Sequence, residues 1–163
     1  MYSISVTVSE MKGAKMDTVQ NIAVRNEGRV ARGRLVSVGL LAAIVAAGAN
    51  AAVYLVAATV GTMPQDVVVN GQGPITLPMV AAMSVLGAVG GTAVYALVGR
   101  FARRPVRAFR IVAALALLLS FGGPFSIAGA PAAMVATLLL MHTVAAAVIV
   151  GFLTTLARRE ARA

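Results

Sequence analysis

Two polar side chains, Asn50 and His142, stand inside long apolar segments and are the residues of this sequence best able to do chemistry. A neutral imidazole has one donor and one acceptor nitrogen, and an Asn amide offers groups of both kinds. Ionisable residues within membrane helices commonly serve as proton relays, ligand contacts or cofactor ligands. The competing interpretation is that one His and one Asn form interhelical hydrogen bonds that only hold the helices together. The sequence leaves both interpretations open.

The rest of the sequence lacks the partners that most catalytic or metal sites require. The chain has no Cys and one His, so thiol chemistry, a bis-histidine haem and a zinc site of clustered ligands are not expected. Serine hydrolysis needs a base and an orienting acid beside the nucleophile, and the long apolar segments contain no carboxylate. We therefore predict no catalytic residue, no metal and no cofactor. An enzyme that uses His142 as a base is the least favoured hypothesis.

Long charge-free segments define the elements that carry these two residues. Of the 163 residues, 60% are hydrophobic and 12% are charged, whereas soluble domains have about 25% charged residues. A transmembrane helix needs about 20 apolar residues. The chain has four such segments, and we predict spans over residues 35–61, 77–99, 106–128 and 131–157. The predicted fold is an all-α membrane protein, an antiparallel bundle of four transmembrane helices.

The predicted spans place the two polar residues at similar depth. Asn50 and His142 each lie within about one helical turn of the middle of their span. We expect both side chains to face the bundle interior and to bond each other, directly or through water.

The positive charges predict how the spans are oriented. All 14 Lys and Arg residues fall before the first span, in residues 100–110 between the second and third charge-free runs, or after the fourth span. Basic segments remain in the cytoplasm under the positive-inside rule. We therefore predict a multi-pass protein of the bacterial cytoplasmic (inner) membrane with both termini cytoplasmic. Residues 1–34 form a flexible basic tail in this prediction, and residues 158–163 form a basic C-terminus.

The basic turn between the second and third spans is predicted to contact anionic lipid headgroups. Its arginines are Arg100, Arg103, Arg104, Arg107 and Arg110. Membrane lipids are thus the predicted partners. The net charge of +9 is attributed to orientation and lipid contact, and not to nucleic-acid binding.

Two segments near the first span allow more than one structure. The outer connector carries Val67-Val68-Val69 before an Asn70-Gly71 turn pair, which favours a short β-hairpin. The first apolar segment could also be a signal peptide cleaved at Ala49-Asn50-Ala51, but its length favours a retained helix. Met11 or Met16 could be the true start of the chain.

Gly87 and Gly91 form a GxxxG pair in the second span, a pattern that lets another helix approach closely. Packing within the same chain is favoured over dimerisation.

The order of these features resembles a family of small four-helix bacterial integral membrane proteins of unknown function. The resemblance extends over about residues 32–158. The motifs that carry it, beside the Arg-rich inner turn, are Asn50, the small-residue segment Gly87–Gly91, Leu118–Pro124, and Leu140-Met141-His142. It implies the four-helix fold and draws attention to Asn50 and His142, and it implies no reaction.

Two functional hypotheses remain after these exclusions. The first is a non-enzymatic accessory, assembly or scaffold subunit, with a membrane-protein partner or as a homo-oligomer. The alternative is a small carrier or channel that uses a mid-membrane polar site at Asn50 and His142. The alternative predicts a cavity between the first and fourth spans, whereas packed Leu and Val side chains in that space would contradict it.

Overall fold

The described part of the protein is helical. A computed structural model describes residues 33–69, 71 and 73–156, and no β-strand forms among them. The helices are α1 (Gly33–Thr59), α2 (Leu77–Phe101), α3 (Pro105–Ser120), α4 (Gly122–Phe125) and α5 (Ala132–Thr155). The described residues from 35 onward form one compact unit.

Four helical segments are long and apolar enough to cross a membrane. They are Gly33–Thr59, Leu77–Phe101, Pro105–Phe125, which joins α3 and α4, and Ala132–Thr155. Many large apolar side chains on these helices are exposed, and Leu119 keeps 81% of its surface accessible. Soluble monomers rarely expose large contiguous apolar surfaces, whereas lipid favours them. The chain is therefore a multi-pass membrane protein, as the apolar segments predict.

The end of α1 follows from Gly61. The N–H groups of Gly61 and Thr62 donate to the carbonyls of Ala58 and Ala57, at 3.2 and 2.9 Å. This pair of bonds is a Schellman motif, which requires a left-handed residue, and Gly61 has a φ of 75°. Free backbone carbonyls at the helix end are thereby satisfied.

The described residues of the first connector fold back on the helices without forming strands. The Val69 N–H donates to the Gly73 carbonyl at 2.9 Å, across a turn in which Gly71 and Gly73 have positive φ. The Tyr54 hydroxyl donates to the Ile75 carbonyl at 3.1 Å and ties α1 to the end of the connector. The predicted β-hairpin is not confirmed, since the described residues of this connector contain a turn and no strand.

The third span is broken near its end. α3 ends at Ser120, and the short α4 follows after Phe121. Pro124 lacks the N–H that would continue the helical hydrogen-bond series, and two glycines precede it. The helical part ends at Phe125, three residues before the predicted boundary of 128.

The other boundaries differ from the predicted ones by a few residues. Gly33 and Arg34 are already helical, although the tail was predicted to extend to residue 34. Pro131 is the N-cap of α5, with extended backbone, and not the first helical residue. The remainder of the predicted tail (1–32) and the predicted C-terminus (158–163) lie outside the described residues.

Buried side chains form two separate clusters. The connector-side cluster joins the end of α1, the first connector and the starts of α2 and α5, and includes Tyr54, Ile75 and Leu138. The arginine-side cluster joins the first half of α1 with Ala88 of α2, Phe109 of α3 and Leu153 of α5. A cavity lies among residues of the connector-side cluster.

Candidate ligand-binding site

A cavity of about 480 Å³ is bounded by α1, α2, α5, the broken end of the third span and the first connector. Its wall includes both Asn50 and His142. The other lining residues are Val69, Ile75, Met79, Val80, Met83, Ser84, Gly87, Gly123, Pro124, Ser126, Ile127, Leu138, Met141 and Ala145. Pockets of about 300–1,000 Å³ with mostly apolar walls and a few polar groups are the usual form of small-molecule sites. The cavity has the size and composition of such a site.

Asn50 is positioned by a hydrogen bond across the α1–α2 contact. Its side chain is 5% exposed, and its Nδ2 donates to the Ser84 Oγ at 3.0 Å. Ser84 in turn donates to the Val80 carbonyl one turn earlier, at 2.8 Å. The Asn50 Oδ1 is buried and has no hydrogen-bond partner in the structure. An unpaired buried polar atom costs about 1–3 kcal/mol, so this carbonyl oxygen weakens the contact that the Nδ2 bond stabilises.

His142 is held by its own helix. Its Nδ1 lies 2.7 Å from the Leu138 carbonyl oxygen. A carbonyl only accepts hydrogen bonds, so Nδ1 carries the hydrogen. In a neutral imidazole the other nitrogen, Nε2, is then an acceptor. The ring is half-buried and lines the cavity.

The structure places Asn50 and His142 on one cavity wall without a direct bond between them. Asn50 donates to Ser84, its Oδ1 has no partner, and His142 bonds Leu138. The predicted direct hydrogen bond is therefore not formed, and a bond through water stays a prediction. The sequence did not single out Ser84 as the partner of Asn50, because Ser and Thr in apolar helices usually bond only their own backbone.

None of the described residues that line the cavity has a charged side chain. Its apolar part includes three methionines, Met79, Met83 and Met141. Methionine is flexible and polarisable, so it adapts to ligands of different shape. The wall suits an uncharged molecule that is mostly apolar.

The GxxxG pair of α2 contacts α5 of the same chain. A Cβ added to Gly91 would lie 2.8 Å from Ile149 Cγ2, and one added to Gly87 would lie 3.8 Å from Ile149 Cδ1. Gly87 also lines the cavity. The small residues thus let Ile149 approach the α2 backbone, and dimerisation is not needed to explain them.

A second close contact was not predicted. A Cβ on Gly39 of α1 would lie 2.5 Å from Thr92 Oγ1 and 2.8 Å from Thr92 Cγ2 on α2. The Thr92 hydroxyl donates to the Ala88 carbonyl at 2.7 Å, which fixes its orientation. A lone glycine in an apolar helix gives no spacing signal, so the sequence could not identify this contact.

The arginines of the inner turn are exposed, and the aromatic residues beside them differ. All five predicted lipid-contacting arginines, from Arg100 to Arg110, are exposed. The Arg100 guanidinium lies 5.9 Å from the centre of the exposed Phe101 ring. Phe109 is 2% exposed, and its ring meets Tyr95 edge-on at 5.0 Å between centres. Phe109 therefore belongs to the protein interior, whereas Phe101 is 75% exposed.

Comparison with known proteins gives a family and no activity. No curated protein matches the chain. No solved structure matches it either. A family model described as a family of unknown function (DUF6069) matches residues 30–160, most of the chain and every described helix. The chain, with its four apolar helices around a cavity at Asn50 and His142, belongs to the family of unknown function DUF6069.

Proposed function

We propose that the protein is an antiparallel four-helix bundle in the cytoplasmic membrane, with both termini in the cytoplasm. The two buried clusters support the antiparallel order, because the end of α1 meets the starts of α2 and α5 in one of them. All positive charges lie before the first span, around residues 100–110, or after the fourth span, which is the same side of the membrane in this bundle. This grouping supports the orientation. The exposed arginines of the inner turn are suited to anionic headgroups, each gaining about 1 kcal/mol near such a surface.

The function that the geometry supports best is binding of a small, largely apolar molecule within the membrane, as in a carrier. The observation that supports it is the cavity of about 480 Å³ with Asn50 and His142 on its wall. The carrier hypothesis predicted a cavity between the first and fourth spans. The observed cavity lies mainly among α2, α5 and the broken end of the third span, and Asn50 is the one described residue of α1 on its wall. The cavity therefore favours a binding protein over an accessory or scaffold subunit.

The packing of the arginine side argues for a carrier over an open channel. Gly39 meets Thr92, Gly91 meets Ile149, and Tyr95 meets Phe109 across the helix contacts of that half. Ala88 and Leu153 of the same cluster are fully buried, with 0% exposure. A molecule in the cavity would have to separate these contacts to reach the arginine side. We therefore propose that the cavity is loaded from the connector side or from the surrounding lipid.

A cavity-filling variant tests this function. The protein in lipid nanodiscs is titrated with 4-heptylphenol, a probe of suitable size, and binding is followed by the rise in melting temperature. Ala145 lines the cavity, so Ala145→Phe fills part of it and should weaken binding at least tenfold. Ala147→Phe is the matched control, because Ala147 is exposed on the same helix and is not part of the cavity wall.

The outcome separates a ligand site from unfilled space. Saturable binding to the native protein and to Ala147→Phe, and its loss in Ala145→Phe, supports the proposal. If the probe binds all three proteins alike, or binds none of them, the cavity is not a ligand site. An Ala145→Phe protein that melts higher, without any effect on binding, gives the same negative answer, since filling an unused cavity only stabilises.

A further inference from the structure

Three polar side chains on the cavity wall donate their hydrogens to backbone carbonyls of the protein. Ser84 Oγ donates to the Val80 carbonyl at 2.8 Å, and Ser126 Oγ donates to the Gly123 carbonyl at 2.7 Å. His142 donates from Nδ1 to the Leu138 carbonyl at 2.7 Å. A hydroxyl or a neutral imidazole has one hydrogen to donate. These three side chains can therefore offer a ligand only acceptor atoms.

Asn50 adds a donor and no accessible acceptor. It is the fourth polar side chain among the described wall residues, and its Nδ2 already donates to Ser84. Its Oδ1 has no partner, but it is buried within the protein and a ligand in the cavity does not reach it. One N–H of the amide is left as a donor, against acceptor atoms on the other three side chains. The described part of the wall thus offers more acceptors than donors.

Charge and volume restrict the ligand further. The described wall residues carry no charge, and an ion taken into an apolar cavity without a counter-charge loses its solvation. The cavity of about 480 Å³ is roughly sixteen times the volume of about 30 Å³ that a water molecule occupies in the liquid. A ligand of on the order of fifteen non-hydrogen atoms fits this space.

We propose that the ligand is an uncharged alcohol or phenol whose O–H donates to the His142 Nε2, with Ser84 as a neighbouring acceptor. This inference rests on the proposed function and specifies the chemical class of the bound molecule. An acceptor-only molecule of the same size, such as an ether or a quinone, finds few donors on the wall. The site therefore distinguishes a phenol from its methyl ether, although both are apolar and nearly equal in volume.

Two matched probes test the inference. The protein in nanodiscs is titrated with 4-heptylphenol and with 4-heptylanisole, which differ only in the replacement of O–H by O–CH₃. We expect the phenol to bind about tenfold more tightly, the value of one net hydrogen bond. His142→Phe should remove this difference by weakening the phenol alone. Thr143→Val is the control, because Thr143 is exposed and bonds only the Leu139 carbonyl of its own helix.

A spectroscopic readout shows whether the imidazole itself is the acceptor. His142 is the only histidine, so ¹⁵N-histidine labelling of a protein with a histidine-free tag gives one pair of ring signals. The free protein should show a protonated Nδ1 and an unprotonated Nε2. The phenol should shift the Nε2 signal, and the ether should leave it in place.

The possible results separate this inference from the proposed function. Equal affinity for phenol and ether, with no change at Nε2, refutes the donor inference and leaves the cavity as an apolar binding site. Loss of discrimination in His142→Phe, with melting temperature and ether affinity retained, supports it. If neither probe binds the native protein, both this inference and the proposed function are wrong.

Discussion

Replacing Gly39 by Ala should disrupt the contact between α1 and α2. The added methyl group would lie 2.5 Å from Thr92 Oγ1, 2.8 Å from its Cγ2 and 3.2 Å from its Cβ. Rotation of Thr92 could relieve the first two contacts, but it would break the 2.7 Å bond from Thr92 to the Ala88 carbonyl. The third contact involves a carbon fixed to the α2 backbone, so only a shift of the helices relieves it.

The expected cost follows from two opposing effects. Forcing an extra methyl into a packed contact costs about 1–3 kcal/mol. Alanine in place of glycine within a helix regains about 0.5–1 kcal/mol. We expect Gly39→Ala to lower the free energy of unfolding by about 1–2 kcal/mol. Gly48→Ala on the same helix should instead be neutral or stabilising, because a Cβ there meets nothing within 4 Å.

Unfolding in mixed micelles, followed by circular dichroism, measures the difference between the two variants. The double variant Gly39→Ala/Thr92→Ala removes the two shorter contacts and should recover stability, with a coupling of about 1 kcal/mol or more. If Gly39→Ala is as stable as Gly48→Ala, the close approach of α1 and α2 at Thr92 is wrong. If Gly39→Ala is destabilised and Thr92→Ala does not restore stability, the contact with Thr92 is not the cause of the destabilisation.

Two further predictions concern the orientation and the polar pair. The protein has no native Cys, so single cysteines can report orientation; Asp66→Cys should react with a membrane-impermeant maleimide in intact cells, and Arg103→Cys only after permeabilisation. The reverse labelling pattern would overturn the proposed orientation. Ser84→Ala leaves the Asn50 amide without its buried acceptor and should lower the free energy of unfolding by about 1–3 kcal/mol, as measured by micelle unfolding. Adding Asn50→Leu should restore most of that loss, and a Ser84→Ala variant of native stability would show that the bond contributes nothing.

The number and position of the spans could be predicted because length and apolarity alone determine them. An apolar segment without charges that is longer than about 20 residues is long enough to cross the bilayer as a helix. Breaks at glycine and proline, as at Gly61 and Pro124, limited the errors at the helix ends to a few residues. The family assignment agrees with the resemblance inferred from Asn50, the small residues of α2 and His142.

The rotation of each helix about its axis could not be predicted. Helices that are apolar on all sides give no periodic signal to show which face points inward. Depth alone suggested that Asn50 would meet His142, whereas the packing of α1 on α2 gives Asn50 the hydroxyl of Ser84 instead. The Gly39–Thr92 contact was missed for the same reason, since neither residue stands out from a background rich in small side chains.

The separation of a cavity from a tightly packed half has a volumetric consequence. Pressure favours states that eliminate poorly filled space, and this protein has a partly open cavity of about 480 Å³ beside its connector-side residues. Compression should therefore act unevenly, first on the ends of α2 and α5 next to the connector. Phe109 and Leu153 are 2% and 0% exposed, so the half of the protein around them should be the more rigid one. Its backbone amides should show the slowest hydrogen exchange.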